Sequence, residues 1–472
     1  MRYWNFARVL LCGMLVACLA TVAAAAVKLP AVFGDNMVLQ RGRPVPVWGW
    51  ADPGEEVTVA IAGQSLSTKA KADGRWKVEL AKLSVGDPLE MTVEGSSGNI
   101  VTLKNILVGE VWVCSGQSNM EMGIRMCNDA AKEIAAAIHP RLRLFLVARA
   151  KAAQPATDVK ATWKPCTPQN IAANSWGGFS AAAYYFGREL QKELKVPVGL
   201  IEAAWGGTPA EFWTSRQVLE ANPTLKPMAG HGESSVLYNA MIAPLVPYAI
   251  RGAIWYQGEA NLSRAHQYRT LFPAMIANWR ADWGQGDFPF GFVQLAPYRY
   301  NGQNPADYAE LCEAQLMTLK SVPNTGMAVT TDIGNVRDIH PKNKQDVGRR
   351  LALWALAKVY GRDIVYSGPI YKSMAIDGDK IRLQFDHVGG GLIARDGKPL
   401  SDFTIAGADK KFVPAVATID GDTVVVHSDQ IAQPVAVRYA WRDDVVPNLI
   451  NKEELPASSF RTDSWKGVTE GK

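Results

Sequence analysis

Histidine and cysteine are scarce in this sequence, and neither occurs in a spacing that binds a metal ion. The 472 residues include six of each, the histidines are widely separated, and no Cys-x-x-Cys or His-Glu-x-x-His pattern is present. Structural and catalytic zinc sites draw their ligands from such closely spaced sets. We therefore expect no metal ion and no cofactor.

The long apolar run of the sequence lies at its N-terminus. Arg2 and Arg8 precede it, and it ends in small residues at positions 24–26. This pattern is typical of a secretory signal peptide, so we expect residues 1–26 to be removed and the mature chain to be periplasmic or secreted. The segment ending at Cys18 (LVAC) also resembles a bacterial lipobox. Because the apolar run continues past it, lipoprotein anchoring at Cys18 is the less favoured alternative.

The chain carries no strong charge of either sign. Its 50 lysines and arginines against 45 aspartates and glutamates give a formal net charge of +5, which becomes +3 when Arg2 and Arg8 are removed. So small and scattered a charge argues against nucleic acid or an anionic membrane surface as partners. The composition, 48% hydrophobic and 20% charged, is that of a globular protein.

Four cysteines remain after residues 1–26 and would meet an oxidising compartment. One or two disulfides are therefore allowed, and four cysteines permit three pairings. The sequence does not choose among the pairings of Cys114, Cys127, Cys166 and Cys312.

Three regions of the mature chain differ in hydrophobic pattern. Residues 27–104 alternate apolar and polar residues in runs such as VPVWGW, which predicts an immunoglobulin-like β-sandwich. Residues 105–362 alternate apolar runs such as VGLIEAAW with helical stretches such as SAAAYYFGRELQKEL, which predicts an α/β domain with a mostly parallel sheet and helices on both faces. Residues 363–472 return to short strands and predict a small β domain. No repeat or low-complexity linker separates these regions, so we expect them to pack together.

The stretch VWVCSGQSNMEM, residues 111–122, displays one serine after a strand. In an open parallel sheet, reactive groups lie beyond the carboxyl ends of the strands. Ser118 follows Gly116 at such an end, where backbone N–H groups can bind a developing oxyanion. The alternative is that Ser118 only caps the following helix.

A serine nucleophile needs a base and a group that orients it. His340 follows the strand-like run GMAVTTDIG and is the candidate base. Asp338 is its candidate orienting acid. Asp332 is a rival, and Glu259 a more distant one.

Two further strand ends offer hydrogen-bond donors for an oxyanion. Gly206 and Gly207 follow VGLIEAAW and can present an unobstructed N–H, and Gln257 follows AIRGAIWY with a neutral amide. Each is an ordinary turn when taken singly. Four strand ends together supply a nucleophile, a base and two donors.

The motifs GQSNM (116–120), AAWGGTPAEFW (203–213), WYQGEAN (255–261) and DIHPKNKQDVGRRLALWAL (338–356) resemble the bacterial sialate O-acetylesterase family of SGNH hydrolases. The resemblance implies hydrolysis of acetyl esters on sugars through a serine acyl-enzyme. It implies that Ser118 is the nucleophile, His340 the base and Asp338 its orienting residue. The oxyanion hole would consist of the Ser118 N–H with Gly206, Gly207 and Gln257, and the motif does not fix which glycine donates.

The sequence departs from the wider SGNH pattern in its acid. Asp338 precedes His340 by two residues instead of three. The site therefore has a second interpretation, a Ser–His dyad in which a backbone carbonyl orients the histidine.

The substrate is left open by the sequence. Trp205 and Trp255 are candidates to stack on sugar faces, although aromatic residues so close to apolar strands are more often core residues. Glu259 is a further candidate for substrate binding. Acetylated xylan or xyloglucan is the alternative to acetylated sialic acid, and a catalytically inactive carbohydrate-binding protein is a third interpretation. A lipase or peptidase fits poorly, because no Gly-x-Ser-x-Gly elbow surrounds Ser118.

Overall fold

The computed structural model describes residues 27–173, 176–230 and 232–472. The expected signal peptide, residues 1–26, and the alternative lipid site at Cys18 lie outside the described residues.

The first region consists mainly of small antiparallel sheets, and in most of their strands every second residue is buried. Its strands are β1 (Val38–Gln40), β2 (Val45–Trp50), β3 (Glu56–Ile61), β4 (Gln64–Lys69), β5 (Arg75–Leu80), β6 (Leu89–Gly95) and β7 (Ile100–Gly116). β2 pairs with β5, and β4, β3, β6 and the start of β7 form the second sheet. In β5, Trp76, Val78 and Leu80 are buried and the residues between them are exposed. This alternation is the one that the sequence predicts for a sandwich.

The second region contains the central sheet, in the strand order β13-β12-β11-β7-β10-β8-β9. Its further strands are β8 (His139–Leu146), β9 (Trp163–Cys166), β10 (Val198–Ala204), β11 (Gly252–Tyr256), β12 (Phe290–Val293) and β13 (Thr325–Ala328). Every neighbouring pair is parallel except β8 with the edge strand β9. The predicted mostly parallel sheet is confirmed.

Strand β7 belongs to both regions. Its first half pairs antiparallel with β6, and its second half lies between β10 and β11 at the centre of the parallel sheet. The predicted boundary between residues 104 and 105 therefore falls inside a strand. The sequence pattern changes there because residues 106–116 are buried on both faces of the sheet.

Helices cover both faces of the central sheet. They are α1 (Ser118–Glu121), α2 (Ala130–Ala135), α3 (Pro168–Ala172), α4 (Ala181–Leu194), α5 (Arg216–Ala221), α6 (Lys226–Ala229), α7 (Ala265–Trp283), α8 (Pro305–Ser321) and α9 (Lys344–Lys358). Short 3₁₀ helices lie at Ile124–Met126, Ala210–Trp213, Ala243–Leu245 and Glu259–Arg264, and a π-helical turn lies at Tyr238–Ile242.

Strand β12 shows the two layers directly. Phe290 and Phe292 contact Phe272 of α7, whereas Gly291 between them faces Trp354 of α9. Since successive side chains of a strand point to opposite faces, α7 and α9 lie on opposite sides of the sheet. A Cβ atom on Gly291 would lie 2.5 Å from the Trp354 ring, so the close approach of α9 requires glycine there.

The third region consists of short strands with a hydrophobic core of their own. They are β14 (Ile370–Asp377), β15 (Lys380–Asp386), β16 (Leu392–Ala394), β17 (Phe403–Ala406), β18 (Phe412–Pro414), β19 (Val416–Asp420), β20 (Thr423–His427), β21 (Ala436–Tyr439), β22 (Leu449–Asn451) and β23 (Phe460–Arg461). They form sheets β14-β15-β20-β19, β18-β17-β21-β23 and β16-β22. Their core is separate, whereas the first two regions share one continuous core.

The four cysteines in the described ranges are buried free thiols, so they form none of the disulfides that the sequence permits; they are Cys114, Cys127, Cys166 and Cys312. Every helix in the described ranges is too short or too polar to cross a bilayer.

Candidate active site

The loops that carry the candidate residues meet at the carboxyl edge of the central sheet. The amide of Trp205, after β10, donates to the carbonyl oxygen of Gly116 at 3.1 Å. The amide of Gln117, after β7, donates to the carbonyl oxygen of Tyr256 at 3.0 Å. The loops that follow β7, β10 and β11 are therefore held together by backbone hydrogen bonds, as the parallel sheet predicts.

Ser118 is half-buried and is the first residue of α1. Gly116, two residues earlier, has a φ of +142°, and a Cβ atom there would lie 2.2 Å from the carbonyl oxygen of Tyr256. Only glycine fits this turn. As the first residue of a helix, Ser118 presents a backbone N–H that no carbonyl of its own helix accepts.

The two glycines after β10 differ in what their N–H groups do. Gly206 lies against Ser118, since a Cβ atom on Gly206 would be 3.2 Å from the serine Cβ. However, its N–H donates to Glu121 Oε2 at 2.7 Å. Gly207 has a φ of +74° and open space around it, and within the described ranges its N–H donates to no acceptor. Of the two predicted donors, Gly207 is the one with an available N–H.

Gln257 is fully buried, and its amide is engaged away from Ser118. Its Nε2 donates to Asn261 Oδ1 at 2.6 Å and to the carbonyl oxygen of Thr208 at 3.3 Å, while its Oε1 accepts from the Tyr268 hydroxyl at 2.9 Å. Both amide hydrogens are thus used. In this structure Gln257 ties the loop after β11 to the turn after Gly207 and offers no free N–H to an oxyanion.

His340 lies half-buried on the loop between β13 and α9. Its ring packs edge-on against Trp176 with the centroids 5.3 Å apart. Burial lowers the pKa of His340, and the charge of Lys344 lowers it further, against an opposing effect of Asp338. The imidazole is therefore neutral near pH 7, as a general base must be.

The predicted orienting acid contacts the backbone of His340. Asp338 Oδ1 accepts the His340 backbone N–H at 2.9 Å, whereas the ring Nδ1 is 4.0 Å away, which is too far for a hydrogen bond. The rival Asp332 is committed to Arg350, which donates to its two oxygens at 2.7 Å each. Neither aspartate forms a hydrogen bond with the imidazole in this structure.

Asn119 joins the segment that carries Ser118 to the loop that carries His340. Its Nδ2 donates to the carbonyl oxygen of Ile339 at 2.9 Å and to Glu259 Oε1 at 2.6 Å. The residue after Ser118 is thereby bonded to the residue before His340. No hydrogen bond joins the Ser118 hydroxyl to the His340 ring within the described ranges, and in unliganded enzymes this contact commonly closes only when substrate binds.

Glu259 is a half-buried residue whose carboxyl group lies against Asn119. Burial raises the pKa of its carboxyl, and its Oε2 is buried without a hydrogen-bond partner. It was predicted as a distant rival acid or a substrate contact. The structure places it against Asn119.

A polar cavity of about 410 Å³ lies beside these residues. Trp176, which touches His340, forms one wall, and Glu121, which binds the Gly206 N–H, forms another. Glu121 is ion-paired with Arg149. Glu202 is a buried wall residue, and burial raises the pKa of its carboxyl well above the usual range. The other lining residues are Leu146, Val147, Ala148, Gly178 and Ala204.

The two tryptophans predicted to stack on sugars have different environments. Trp205 is half-buried, and the charged groups of Arg149 and Lys151 lie 5.6 Å from its ring. Trp255 is fully buried and packs edge-on against Trp213 and Trp279. The prediction of sugar stacking by Trp255 is therefore incompatible with this structure, because β11 is a central strand covered on both faces.

Several site residues were not found from the sequence. Glu121, Arg149, Trp176 and Glu202 line the cavity, and Lys344 donates to Asn119. Glu121 could have been predicted, because it lies one helical turn after Ser118 and therefore on the same side of the helix. Arg149 and Trp176 come from loops with no recognisable pattern, and only the fold brings them to the site.

A strand-end serine, a loop histidine and a polar cavity at the carboxyl edge of a parallel sheet are the arrangement of an SGNH-type ester hydrolase. The family described as "Carbohydrate esterase, sialic acid-specific acetylesterase" matches residues 108–357. The chain belongs to this family and is a carboxylic ester hydrolase.

Relatives extend over most of the chain. It is 31% identical to the sialate O-acetylesterase of Rattus norvegicus over 86% of this chain and 88% of the relative. It is also 31% identical to the sialate O-acetylesterase of Homo sapiens over 88% of this chain and 87% of the relative. The crystal structure of a novel carbohydrate acetylesterase from Xanthomonas citri is 42% identical, covers 93% of this chain and all of its own, and superposes with a TM-score of 0.87.

Proposed function

We propose that this esterase removes O-acetyl groups from a carbohydrate through an acetyl-enzyme formed on Ser118, with His340 as general base. The observation that carries the proposal is the Asn119 bridge, which holds the residue next to Ser118 against the residue next to His340. The cavity of about 410 Å³ is walled by Trp176, which packs against His340, and by Glu121, in the same short helix as Ser118, so it can hold the sugar of the ester.

In the first half of the reaction, the Ser118 oxygen attacks the acetyl carbonyl carbon while His340 takes the hydroxyl proton. The carbonyl π electrons move to its oxygen, which becomes an oxyanion. When the intermediate collapses, the bond to the sugar oxygen breaks and His340 gives that oxygen its proton. In the second half, His340 deprotonates a water molecule that attacks the acetyl-serine, and acetate leaves as Ser118 recovers the proton.

Two backbone donors support oxyanion binding, the N–H groups of Ser118 and Gly207. Both belong to loops fixed at the end of the sheet, so their orientation precedes substrate binding. Gln257 supports the same turn through its bond to the Thr208 carbonyl oxygen at 3.3 Å. Its contribution is to hold the Gly207 turn in place.

The base is best described as one half of a Ser–His dyad. The Nδ1 of His340 lies 4.0 Å from Asp338, and Asp332 is bound to Arg350. Trp176 fixes the ring by edge-on packing, and the Asp338 carboxylate fixes the backbone N–H of the same residue.

The proposed substrate is an acetylated sugar of the sialic acid type, with acetylated xylan or xyloglucan as the alternative. Relatives named sialate O-acetylesterase support the first, and a relative named carbohydrate acetylesterase is compatible with either. The paired charges of Glu121 and Arg149 provide both acceptors and donors for sugar hydroxyls.

The deciding experiment is acetate release from O-acetylated sialic acid and from acetylated xylan or xyloglucan oligosaccharides, measured side by side. Ser118→Ala should abolish release from the active substrate. Ser215→Ala is the control, because Ser215 lies at the start of a helix, as the N-cap of α5, but outside the site. Undiminished release by Ser118→Ala would reject the proposed nucleophile, and the preferred substrate would choose between the two sugar classes.

Export of the mature chain is part of the proposal and rests on the signal-like sequence of residues 1–26. Mass spectrometry of the protein recovered from the periplasm or medium should find an N-terminus near residue 27. A full-length chain retained in the cytoplasm would contradict export.

A further inference from the structure

Lys344 is a buried lysine at the first position of α9. Its side chain is fully buried, and the N-terminus of a helix is the positive end of its dipole. Burial lowers the pKa of its ammonium group to about 8. A cation is costly at such a position, so its contacts must compensate for the loss of water.

Those contacts all lie in the catalytic loops. Lys344 Nζ donates to Asn119 Oδ1 at 2.7 Å and to the carbonyl oxygen of Pro341 at 2.8 Å. It also lies 5.4 Å from the centre of the Tyr256 ring, over its face. The three hydrogens of an ammonium group are thereby directed at the loop of Ser118, the loop of His340 and the end of β11.

The bond from Lys344 completes the set of partners of Asn119. Both hydrogens of Nδ2 are used by Ile339 and Glu259, and Oδ1 is used by Lys344. A side-chain amide whose two N–H groups and carbonyl oxygen are all hydrogen-bonded is held in a single orientation. Three strand-end loops are therefore locked to one another next to the reacting residues.

We propose that Lys344 is a positioning residue of this esterase, which acts through Asn119 to hold the helix that begins at Ser118 against the loop that carries His340. The proposal rests on the function proposed above. Lys344 touches neither the cavity nor the serine, so it acts through Asn119 and the Pro341 carbonyl.

The same charge affects the base. Asp338 faces both His340 and Lys344, and Cys127 and Glu259 face Lys344. The positive charge of Lys344 disfavours the imidazolium form of His340 and lowers the pKa of the imidazole, after the larger effect of burial. Removing the charge raises that pKa, so the acid limb of the kcat/KM profile moves to higher pH.

The first test is Lys344→Met, which keeps the unbranched apolar stem of the side chain and removes the charge and its donors. We expect kcat on an aryl acetate to fall about tenfold to a hundredfold, because misplaced reacting groups cost this much. KM should change little, and the acid limb should move to higher pH. Lys342→Met is the matched control, an exposed lysine of the same loop whose loss should leave kcat and the pH profile unchanged.

NMR titration of the His340 ring measures the electrostatic effect directly. The pKa of the His340 imidazole should rise in Lys344→Met and stay constant in Lys342→Met. If Lys344→Met lowers activity only in proportion to a loss of folded protein, with kcat per folded molecule and the pKa of His340 unchanged, Lys344 is a purely structural residue and the inference is overturned.

Asn119→Asp provides a second route if Lys344→Met does not fold. A carboxylate can pair with Lys344 but cannot donate to the Ile339 carbonyl oxygen, so the bridge to His340 is lost while the buried cation is satisfied. We expect a similar loss in kcat, and unchanged kcat would overturn the inference. Failure of the proposed function is distinct, because Ser118→Ala would then retain activity whatever Lys344→Met does.

Discussion

Two charges of opposite sign, both close to His340 along the chain, act on its imidazole. Asp338 precedes it by two residues and Lys344 follows it by four, and they shift the pKa of the imidazole in opposite directions. Neither is hydrogen-bonded to the ring: Asp338 accepts from the backbone and Lys344 donates to Asn119 and Pro341. The structure therefore separates the electrostatic role of a neighbouring carboxylate from its orienting role.

This separation predicts a small effect of Asp338→Asn. The amide oxygen of asparagine can still accept the His340 N–H, so the loop keeps its shape. We expect kcat to fall by less than about tenfold, compared with about 10⁴-fold where a carboxylate orients the base. Because Asp338 raises the pKa of His340, its loss lowers that pKa, and the acid limb of kcat/KM should move to lower pH, opposite to Lys344→Met.

Steady-state kinetics of Asp338→Asn across the pH range would decide whether Asp338 orients the His340 ring. A loss of about 10³-fold or more in kcat would show that Asp338 orients the ring in the reacting complex and that the dyad is wrong. Asp346→Asn is a suitable control, since Asp346 lies in the first turn of α9 and accepts from Asn343 at 2.8 Å, outside the cavity.

At the scale of elements, the sequence predicts the central layers well and their contacts poorly. Strands β7, β10 and β11 and helix α4 lie where the apolar runs and the helical stretch predict them. The hydrophobic periodicity of these elements reflects which of their residues are buried, and it can be read from each element by itself. Ser118, His340 and Gly207 could be proposed because each follows such a run within six residues.

The side-chain contacts within the site depend on distances between elements, and no local sequence pattern predicts those distances. The N–H of Gly206 is taken by Glu121, the amide of Gln257 by Asn261, and Trp255 is enclosed by other tryptophans. Each is a contact across loops or layers. The same holds for β7, whose two halves belong to different sheets although the sequence pattern divides it at residue 105.

Packing between α4 and α9 is close enough to predict the effect of a single methyl group. A Cβ atom on Gly348 of α9 would lie 2.5 Å from Tyr185 Cβ and 2.6 Å from the Phe186 nitrogen of α4. Alanine would improve the helix by up to about 1 kcal/mol, but overpacking costs about 1–3 kcal/mol. We expect Gly348→Ala to reduce the free energy of unfolding by about 1–2 kcal/mol, measured by urea denaturation.

Gly86→Ala serves as the control, because a Cβ atom there would meet nothing within 4 Å. Equal stability of Gly348→Ala and the unmodified protein would show that α9 shifts freely against α4. That result would also weaken the case that Lys344, at the start of α9, has a fixed position.

At the scale of the whole molecule, the third region has its own core but is attached to the α/β region by buried and half-buried polar contacts. Arg461 of β23 donates to Glu313 of α8 at 2.7 Å, and Ser458 Oγ accepts from Gln294 Nε2 at 2.8 Å. The last residues return to the same helix. Glu310 of α8 is buried and is capped by that segment.

Deletion of residues 467–472 tests this attachment. Val468 and Thr469 donate their backbone N–H groups to Glu310 at 2.5 and 3.0 Å, and Thr469 Oγ1 accepts from the His266 N–H at 3.0 Å, at the start of α7. Removing this segment eliminates the hydrogen bonds that Glu310 accepts from it, which costs about 1–3 kcal/mol. We expect a lower free energy of unfolding by that amount, whereas deletion of residues 470–472 alone, which spares every donor to Glu310, should have a smaller effect. If the two truncated proteins are equally stable, the capping of Glu310 contributes nothing to stability, and the third region is held by its other polar contacts and its apolar contacts.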